Sequence, residues 1–381
     1  MATRKLFYED CHLNTFTARV LTCEKTPKGW VITLDATAFF PEGGGQACDL
    51  GILGGVRVLD VREQGEEILH LCDGALEVGA EVTGTIDWNR RFDQMQQHTG
   101  EHILSGLINA QFGYHNVGFH VGKGFMEVDF SGPMTLEQAL ALEAKANEAV
   151  WANLPIKCWI PAPEELPHVT YRTKRALPWP VRIVEVPGYD KCACCGVHVE
   201  RTGEVGIIKI LSATKFHDGV RLAMVCGKRA YDYLGQIFEQ NRMVSQAFSA
   251  KMPETGNAAQ RMNEALSAEK FRAAGLEKRL FGCIAEGYRD KGDVVHFEDG
   301  LTPGGVRELA DAIAEECGGT AAVLSGTDGN FSVCLVNKGG DVKELGAAMN
   351  KALNGRGGGK PGYFQGSLKA NRPQIEAFFK L

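Results

Sequence analysis

The sequence predicts an α+β protein in four parts: a small N-terminal β-barrel, an α+β metal-binding domain, a helical linker folded as a hairpin or coiled coil, and a C-terminal α/β domain with a glycine-rich loop. Three observations predict it. Residues 1–88 alternate apolar and polar side chains with the period of strands. Helical and strand periods then alternate over 89–228, as in α+β domains. Residues 229–285 are helical throughout, and 286–381 return to mixed periods.

In the first part, the runs at 16–20, 30–34 and 56–61 read as strands between Gly and Pro turns. The stretch FPEGGGQ at 40–46 interrupts them as a loop. In the second, Phe92, Met95, Ile103, Leu107 and Ile108 recur at helical spacing over 89–113, and Gly113 ends that helix. A strand at 125–130, a helix over 135–153 and strands around 181–186, 205–210 and 220–226 follow. In the linker, Leu234, Ile237, Val244 and Phe248 form one stripe and Met262, Leu266, Ala273, Leu276 and Leu280 another, broken at 253–257. Two helices folded back on each other, or a broken coiled coil, fit this pattern. The last part reads strand, helix, strand, strand, helix, with strands at 294–297, 320–324 and 331–336. The glycine-rich loop at 355–362 and a short helix close it.

The chain has 381 residues, 44% hydrophobic and 23% charged, which is ordinary globular composition and too long for one core. No run approaches the roughly 18 apolar residues a membrane helix needs, and the N-terminus lacks a signal-peptide apolar core. A cytoplasmic protein without a membrane partner is expected. The 12 cysteines are scattered, which points to metal ligands or small buried side chains rather than a disulfide framework. Cys192, Cys194 and Cys195 stand apart as a cluster. A net charge of -6 excludes a protein that coats nucleic acid indiscriminately, but leaves room for a local basic surface.

The sharpest motif is HTGEH at 98–102. His98 and His102, four apart on a helix, stand one turn above each other and can grip one ion. A second pair, Cys194 and His198, also four apart, lies in CCGVH at 194–198, with Gly196 read as letting the chain turn. Three imidazoles and a thiolate form a set that zinc favours, one ion per chain. Within the cluster, Cys192 and Cys195 make a CxxC pair that could be redox-active or an alternative half-site, and Cys195 could replace Cys194. HTGEH also matches the inverted zinc-peptidase motif with Glu101 as base, but that reading leaves Cys194 and His198 without a role.

These motifs resemble the editing region of alanyl-tRNA synthetase and its freestanding relatives, the AlaX family. QHTGEHIL at 97–104 is similar to the family's HTxxHLL segment, and CCGVHVERTGEVG at 194–206 to its CGGTHVxxTGEIG segment. FFPEGGGQ at 39–46 resembles the FYPEGGGQ loop of the family's barrel, and GVR at 219–221 a GVR before the last editing-domain strand. GGGKP at 357–361 with Gln365 and Gly366 resembles the synthetase's C-terminal GGGRP…QGG, which marks a long-form AlaX protein. The family usually has no acid at the position of Glu101; Val197 and Cys195 replace its common Thr and Gly.

The resemblance implies domains at 1–88 (barrel), 89–228 (editing), 229–285 (linker) and 286–381 (tRNA binding and dimerisation). It implies metal ligands His98, His102, Cys194 and His198, with Cys194 rather than Cys195 in the family's cysteine position. It implies a zinc-dependent deacylase acting in trans on tRNA(Ala) carrying serine, or also glycine, with no ATP-dependent charging activity. Gln46 and Thr99 are candidates for orienting water or substrate, and His120 for lining the pocket, although each also suits a plain structural role. Arg356 and Lys360, beside backbone amides free of side chains, are candidates for tRNA phosphate contact. Pairing of two chains through the linker and C-terminal domain is expected. DHH phosphoesterases carry a similar C-terminal domain, but no Asp-His-His run is present.

Overall fold

The computed structural model describes residues 2–173 and 179–380. It separates into two compact units, Met1–Arg242 and Met243–Leu381.

Besides a short strand Arg4–Lys5 paired with Ala36–Thr37 and a helical turn Leu6–Glu9, the first unit begins with six strands: β1 (Thr15–Thr26), β2 (Gly29–Leu34), β3 (Gly51–Leu53), β4 (Val56–Gln64), β5 (Glu67–Cys72) and β6 (Glu81–Ile86). They close into a barrel in the order β1-β2-β5-β4-β3-β6. Alternation sends Phe16, Ala18 and Val20 of β1 inward with Ile32, Leu34, Val58, Val61 and Ile68, which is the burial the two-residue period demands. His70 is buried among them. Its Nδ1 donates to the Ile32 carbonyl at 3.1 Å and its Nε2 accepts from Thr37 Oγ1 at 2.9 Å, so a neutral ring is fully satisfied.

Helix α1 (Trp88–Phe112) follows directly. The Asp87 side chain caps its N-terminus by accepting from Arg90 N, and Gly113 at φ 71° ends it. Nearly every face of its central turns is buried, so its polar side chains need internal partners. Gln97 exchanges two hydrogen bonds with the Cys226 backbone, at 2.8 and 2.9 Å, and Gln96 donates to the Glu204 carbonyl. Arg91 forms a fully buried ion pair with Asp49 and also donates to the Ala38 carbonyl, which ties the helix to the barrel loop that carries Gln46.

Around α1 pack β7 (Asn116–Val121), β8 (Met126–Phe130), α2 (Leu136–Trp151), β9 (Lys157–Trp159), β10 (Ile183–Val186), β11 (Asp190–Ala193), β12 (Ile208–Phe216) and β13 (Gly219–Cys226). One antiparallel sheet runs β12-β13-β8-β7 and a smaller one β9-β10-β11. Thr135 and Gln138 cap α2 reciprocally. The common core unites Met95, Ile103, Leu104 and Ile108 of α1 with Leu142 and Ala146 of α2 and Leu222 and Met224 of β13.

Helix α3 (Gly227–Ala247) starts in the first unit, and α4 (Thr255–Glu286) belongs to the second. Their expected apolar stripes are largely exposed: Ile237, Met262, Leu266, Leu276 and Leu280 are each about half exposed.

The second unit continues with β14 (Gly292–Phe297), α5 (Pro303–Cys317), β15 (Gly318–Thr327), β16 (Asn330–Asn337), α6 (Lys343–Ala352), β17 (Arg356–Lys360), β18 (Tyr363–Leu368) and α7 (Arg372–Phe379). The sheet order is β14-β15-β16-β18-β17, parallel only between β14 and β15. Ala321 and Val323 of β15 face a core made with α4 and α5, while Ala322 and Leu324 face the opposite core. Burial of both faces accounts for the unbroken apolar runs in these strands.

The glycine-rich segment corrects the sequence reading. It forms the edge strand β17 rather than a loop, turning into β18 through Pro361 and Gly362. A side chain at Gly359 would sit 1.9 Å from the Tyr363 carbonyl oxygen, so the glycine serves close strand approach.

Candidate metal centre

The two halves read from the sequence meet. One turn apart on α1, His98 and His102 have ring centroids 5.2 Å apart, and the His198 ring lies 4.5 Å from each. Cys194 Sγ is 3.4 Å from His98 Nε2 and 3.5 Å from His198 Nε2. One donor atom from each of the four residues lies within 4.8 Å of the others. All four sit in the first unit, and His98, His102 and Cys194 line a cleft of about 580 Å³.

Each imidazole is held from behind. His98 Nδ1 donates to Gln46 Oε1 at 3.0 Å, and that oxygen also accepts from Val197 N at 3.1 Å. His198 Nδ1 lies 3.1 Å from Thr99 Oγ1, which accepts from Val199 N as well. His102 Nδ1 stands 3.0 Å from Asp190 Oδ2, and Asp190 is gripped by both Nε and Nη2 of Arg172. With Nδ1 of His98 and His198 hydrogen-bonded and that of His102 facing Asp190, the three rings turn their Nε2 edges toward the common point, as metal-binding histidines with outer-sphere partners do.

The thiol matches. Burial alone would raise the Cys194 pKa, but the adjacent His98 and His102 and the hydrogen bonds from His102 and His198 hold it well below the usual thiol range. Burial and the neighbouring His98 and His102 push His198 down to about 3, so it stays neutral and ready to ligate. Burial instead pushes Cys192 up to about 11 and raises Cys195. Of the three clustered cysteines, Cys194 is the one poised as a thiolate beside the imidazoles. The donor set therefore fits a borderline-soft divalent metal ion.

Gly196 has a different reason from a turn. A Cβ there would lie 2.2 Å from His98 Cε1, so a side chain would displace the imidazole. Gln46 and Thr99 reach the site as expected, but behind the rings: they orient imidazoles and do not line the cleft. His120 is exposed on β7 and does not line the cleft; its neighbour Phe119 does, stacked on His98 at 5.3 Å. Glu101, set aside in the sequence reading, is buried and lines the cleft. Asp190, Arg172 and Asn116 also belong to the site, although no sequence motif marks them. Asp190 had one available signal, an acid two positions before a cysteine cluster. Arg172 and Asn116 had none, because their partners are distant in sequence.

Lys5, Tyr8, Arg172 and Arg182 also line the cleft, and the Arg182 guanidinium lies 4.5 Å over the Tyr8 ring. In the second unit, Arg356 and Lys360 are exposed on β17, and Lys360 lines a groove of about 760 Å³ with Arg307, Lys338 and Tyr363.

A barrel followed by a cleft beside a His₃Cys set defines a candidate metal-dependent site, and comparison with known proteins places it among tRNA-editing proteins along the chain. Residues 181–222 match the Threonyl and Alanyl tRNA synthetase second additional domain, residues 291–381 the DHHA1 domain, and residues 3–90 the tRNA synthetases class II (A) family. The alanyl-tRNA editing protein Aarsd1 of Danio rerio is 28% identical, over 97% of this chain and 96% of that protein. Aarsd1-B of Xenopus laevis is 29% identical, over 95% and 93%. The alanine–tRNA ligase of Thermofilum pendens is 32% identical over 96% of this chain, which spans 42% of the ligase. The chain is thus similar over nearly its whole length to alanyl-tRNA editing proteins, and its three domain matches fit a long-form AlaX protein. No helix among the described residues is long and apolar enough to cross a membrane.

Proposed function

We propose that this protein hydrolyses the ester of tRNA(Ala) mischarged with serine, and of tRNA(Ala) carrying glycine, with zinc held by His98, His102, Cys194 and His198. The observation that carries this reading is the convergence of these four side chains, three of which line an open cleft. The names of the full-length relatives support the substrate class. An alanine-charging pocket separates alanine from glycine or serine by only about 1–3 kcal/mol, so a separate hydrolytic site is needed to remove the errors. Zinc, held by these four residues, would supply the Lewis-acid chemistry for hydrolysis of the ester. Gln46, Thr99 and Asp190 keep the three rings aimed at the ion, and Phe119 shields one side of His98 from water. Arg182 gives the cleft wall a cation suited to a phosphate at the tRNA terminus, whereas Lys5 and Arg172 there are paired with Glu63 and Asp190. The four-part domain division at 88, 228 and 285 follows the same reading. The groove beside Lys360 and the exposed Arg356 serve the body of the tRNA, and the exposed apolar side chains of α3 and α4 pair two chains.

The test is deacylation of Ser-, Gly- and Ala-tRNA(Ala) by the purified chain, with His98→Ala and Cys194→Ala alongside. The expected result is clearance of Ser-tRNA(Ala), sparing of Ala-tRNA(Ala), and loss of activity in both variants. Equal cleavage of seryl and alanyl esters overturns the editing role. Tight tRNA binding without cleavage would instead match a structural ion, which a set of four protein ligands also favours.

A further inference from the structure

Beside the metal ligands the cleft holds a group that the ligand set does not use. Glu101 is 4% exposed. Its Oε1 accepts from Ser105 Oγ and from Asn116 Nδ2, the latter at 2.5 Å. Its Oε2 has no hydrogen-bond donor among the described residues and lies 3.9 Å from His102 Nε2, on the metal-facing side of that ring. The carboxylate can only accept, so the Asn116 amide is fixed with Nδ2 toward Glu101. That leaves Asn116 Oδ1 buried and without a partner, in a residue only 7% exposed that lines the same cleft. Two acceptors, one of them charged, therefore belong to neighbouring side chains of one cleft, with no hydrogen-bond donor to either among the described residues. A buried acceptor left in this way costs about 1–3 kcal/mol, so its retention points to a ligand that supplies the donors.

We propose that Glu101 Oε2 and Asn116 Oδ1 form the subsite for the α-ammonium group of the aminoacyl ester. The inference rests on the deacylase reading for the identity of the ester, but the subsite itself is defined by its own geometry. A serine hydroxyl has one hydrogen to donate and could satisfy only one of the two acceptors. An ammonium has three, carries the charge complementary to Glu101, and accepts nothing. The subsite therefore reads a feature common to every aminoacyl ester and absent from esters whose amine is missing. It places the carbonyl next to the metal ligands because the ammonium is one carbon away from it. Ser105 and the Asn116 amide act through Glu101, holding its Oε1 so that Oε2 keeps its direction into the cleft.

The test uses two non-hydrolysable adenosine analogues with an amide in place of the ester. One carries serine at the 3′ position, and the other carries 2,3-dihydroxypropanoate, the same shape with a hydroxyl in place of the ammonium. Binding of each to the metal-loaded full chain is measured by calorimetry near neutral pH, for wild type, Glu101→Gln and Asn116→Ala. The expected result is at least tenfold tighter binding of the seryl analogue by wild type, a preference abolished by Glu101→Gln and reduced by Asn116→Ala. Equal binding of the two analogues by wild type, which needs no variant to fold, overturns the proposal. So does a preference that Glu101→Gln retains, since the amine would then be read by another group or by the metal. If the analogues are discriminated in this way while Ser-tRNA(Ala) is not cleaved, the deacylase reading fails and the ammonium subsite stands.

Discussion

The carboxylate of Asp190 stands 3.0 Å from Nδ1 of His102, and Arg172 holds that carboxylate from the other side with two nitrogens at 2.6 and 2.9 Å. This chain of three residues orients the His102 ring and turns its Nε2 edge toward the shared centre. Asp190→Asn is expected to weaken zinc binding by about 10- to 100-fold, measured by competition with a chromogenic chelator. Arg172→Ala should act in the same direction through the freed carboxylate. Unchanged affinity in both would show that His102 is held by packing alone.

Gln46 makes a second prediction. Its Oε1 serves His98 Nδ1 and Val197 N together, so Gln46→Leu strands two buried donors. Each stranded donor costs about 1–3 kcal/mol, and denaturant unfolding should report a loss in that range together with weaker metal retention. A variant with wild-type stability and metal content would show that the oxygen is dispensable.

Arg91 and Asp49 are both essentially inaccessible to solvent, at 0% and 2% side-chain exposure. Arg91→Met leaves Asp49 charged in the interior, and about 3–5 kcal/mol of stability should be lost. The double change Arg91→Met with Asp49→Leu should recover a large part of that loss in urea unfolding, because no uncompensated charge remains. A double variant as unstable as the single one would contradict the ion-pair account.

The folds and sites differ in how far the sequence exposes them. The strand alternation around Phe16, Ala18 and Val20 and the helical spacing of Met95, Ile103 and Ile108 are local, so the barrel strands and α1 are legible. The pairs His98/His102 and Cys194/His198 are legible for the same reason, since a four-residue spacing is a local signal. The partners behind the rings are not. Thr99 neighbours a ligand in sequence, yet its role depends on His198, which lies 99 residues on. Asn116 faces Glu101 only because β7 packs beside α1. Residues 355–362 misled in the opposite direction: glycine content reads as a loop, whereas the glycines permit close pairing of β17 with β18.

Burial pushes His70 down to about 4 from its ordinary 6.5, against the hydrogen bond from its ring to the Ile32 carbonyl, which favours the charged form. The folded barrel thus resists protonating this ring, while the unfolded chain takes up a proton below about pH 6.5. The ring makes no pH-dependent contribution above that value. Between about pH 6.5 and 4 the unfolded state binds more protons, and stability should fall by about 1.4 kcal/mol per pH unit from this group. Comparing unfolding free energies of wild type and His70→Gln across pH 4–7 isolates the term. Parallel pH profiles for the two proteins would rule it out.

The most direct measurement is metal analysis combined with X-ray absorption at the zinc edge on the purified chain. The proposed function predicts one zinc per chain, bound by three nitrogens and one sulfur, with the sulfur lost in Cys194→Ala. A first shell with two or more sulfurs, or a chain that retains no zinc under conditions in which it deacylates Ser-tRNA(Ala), would contradict it.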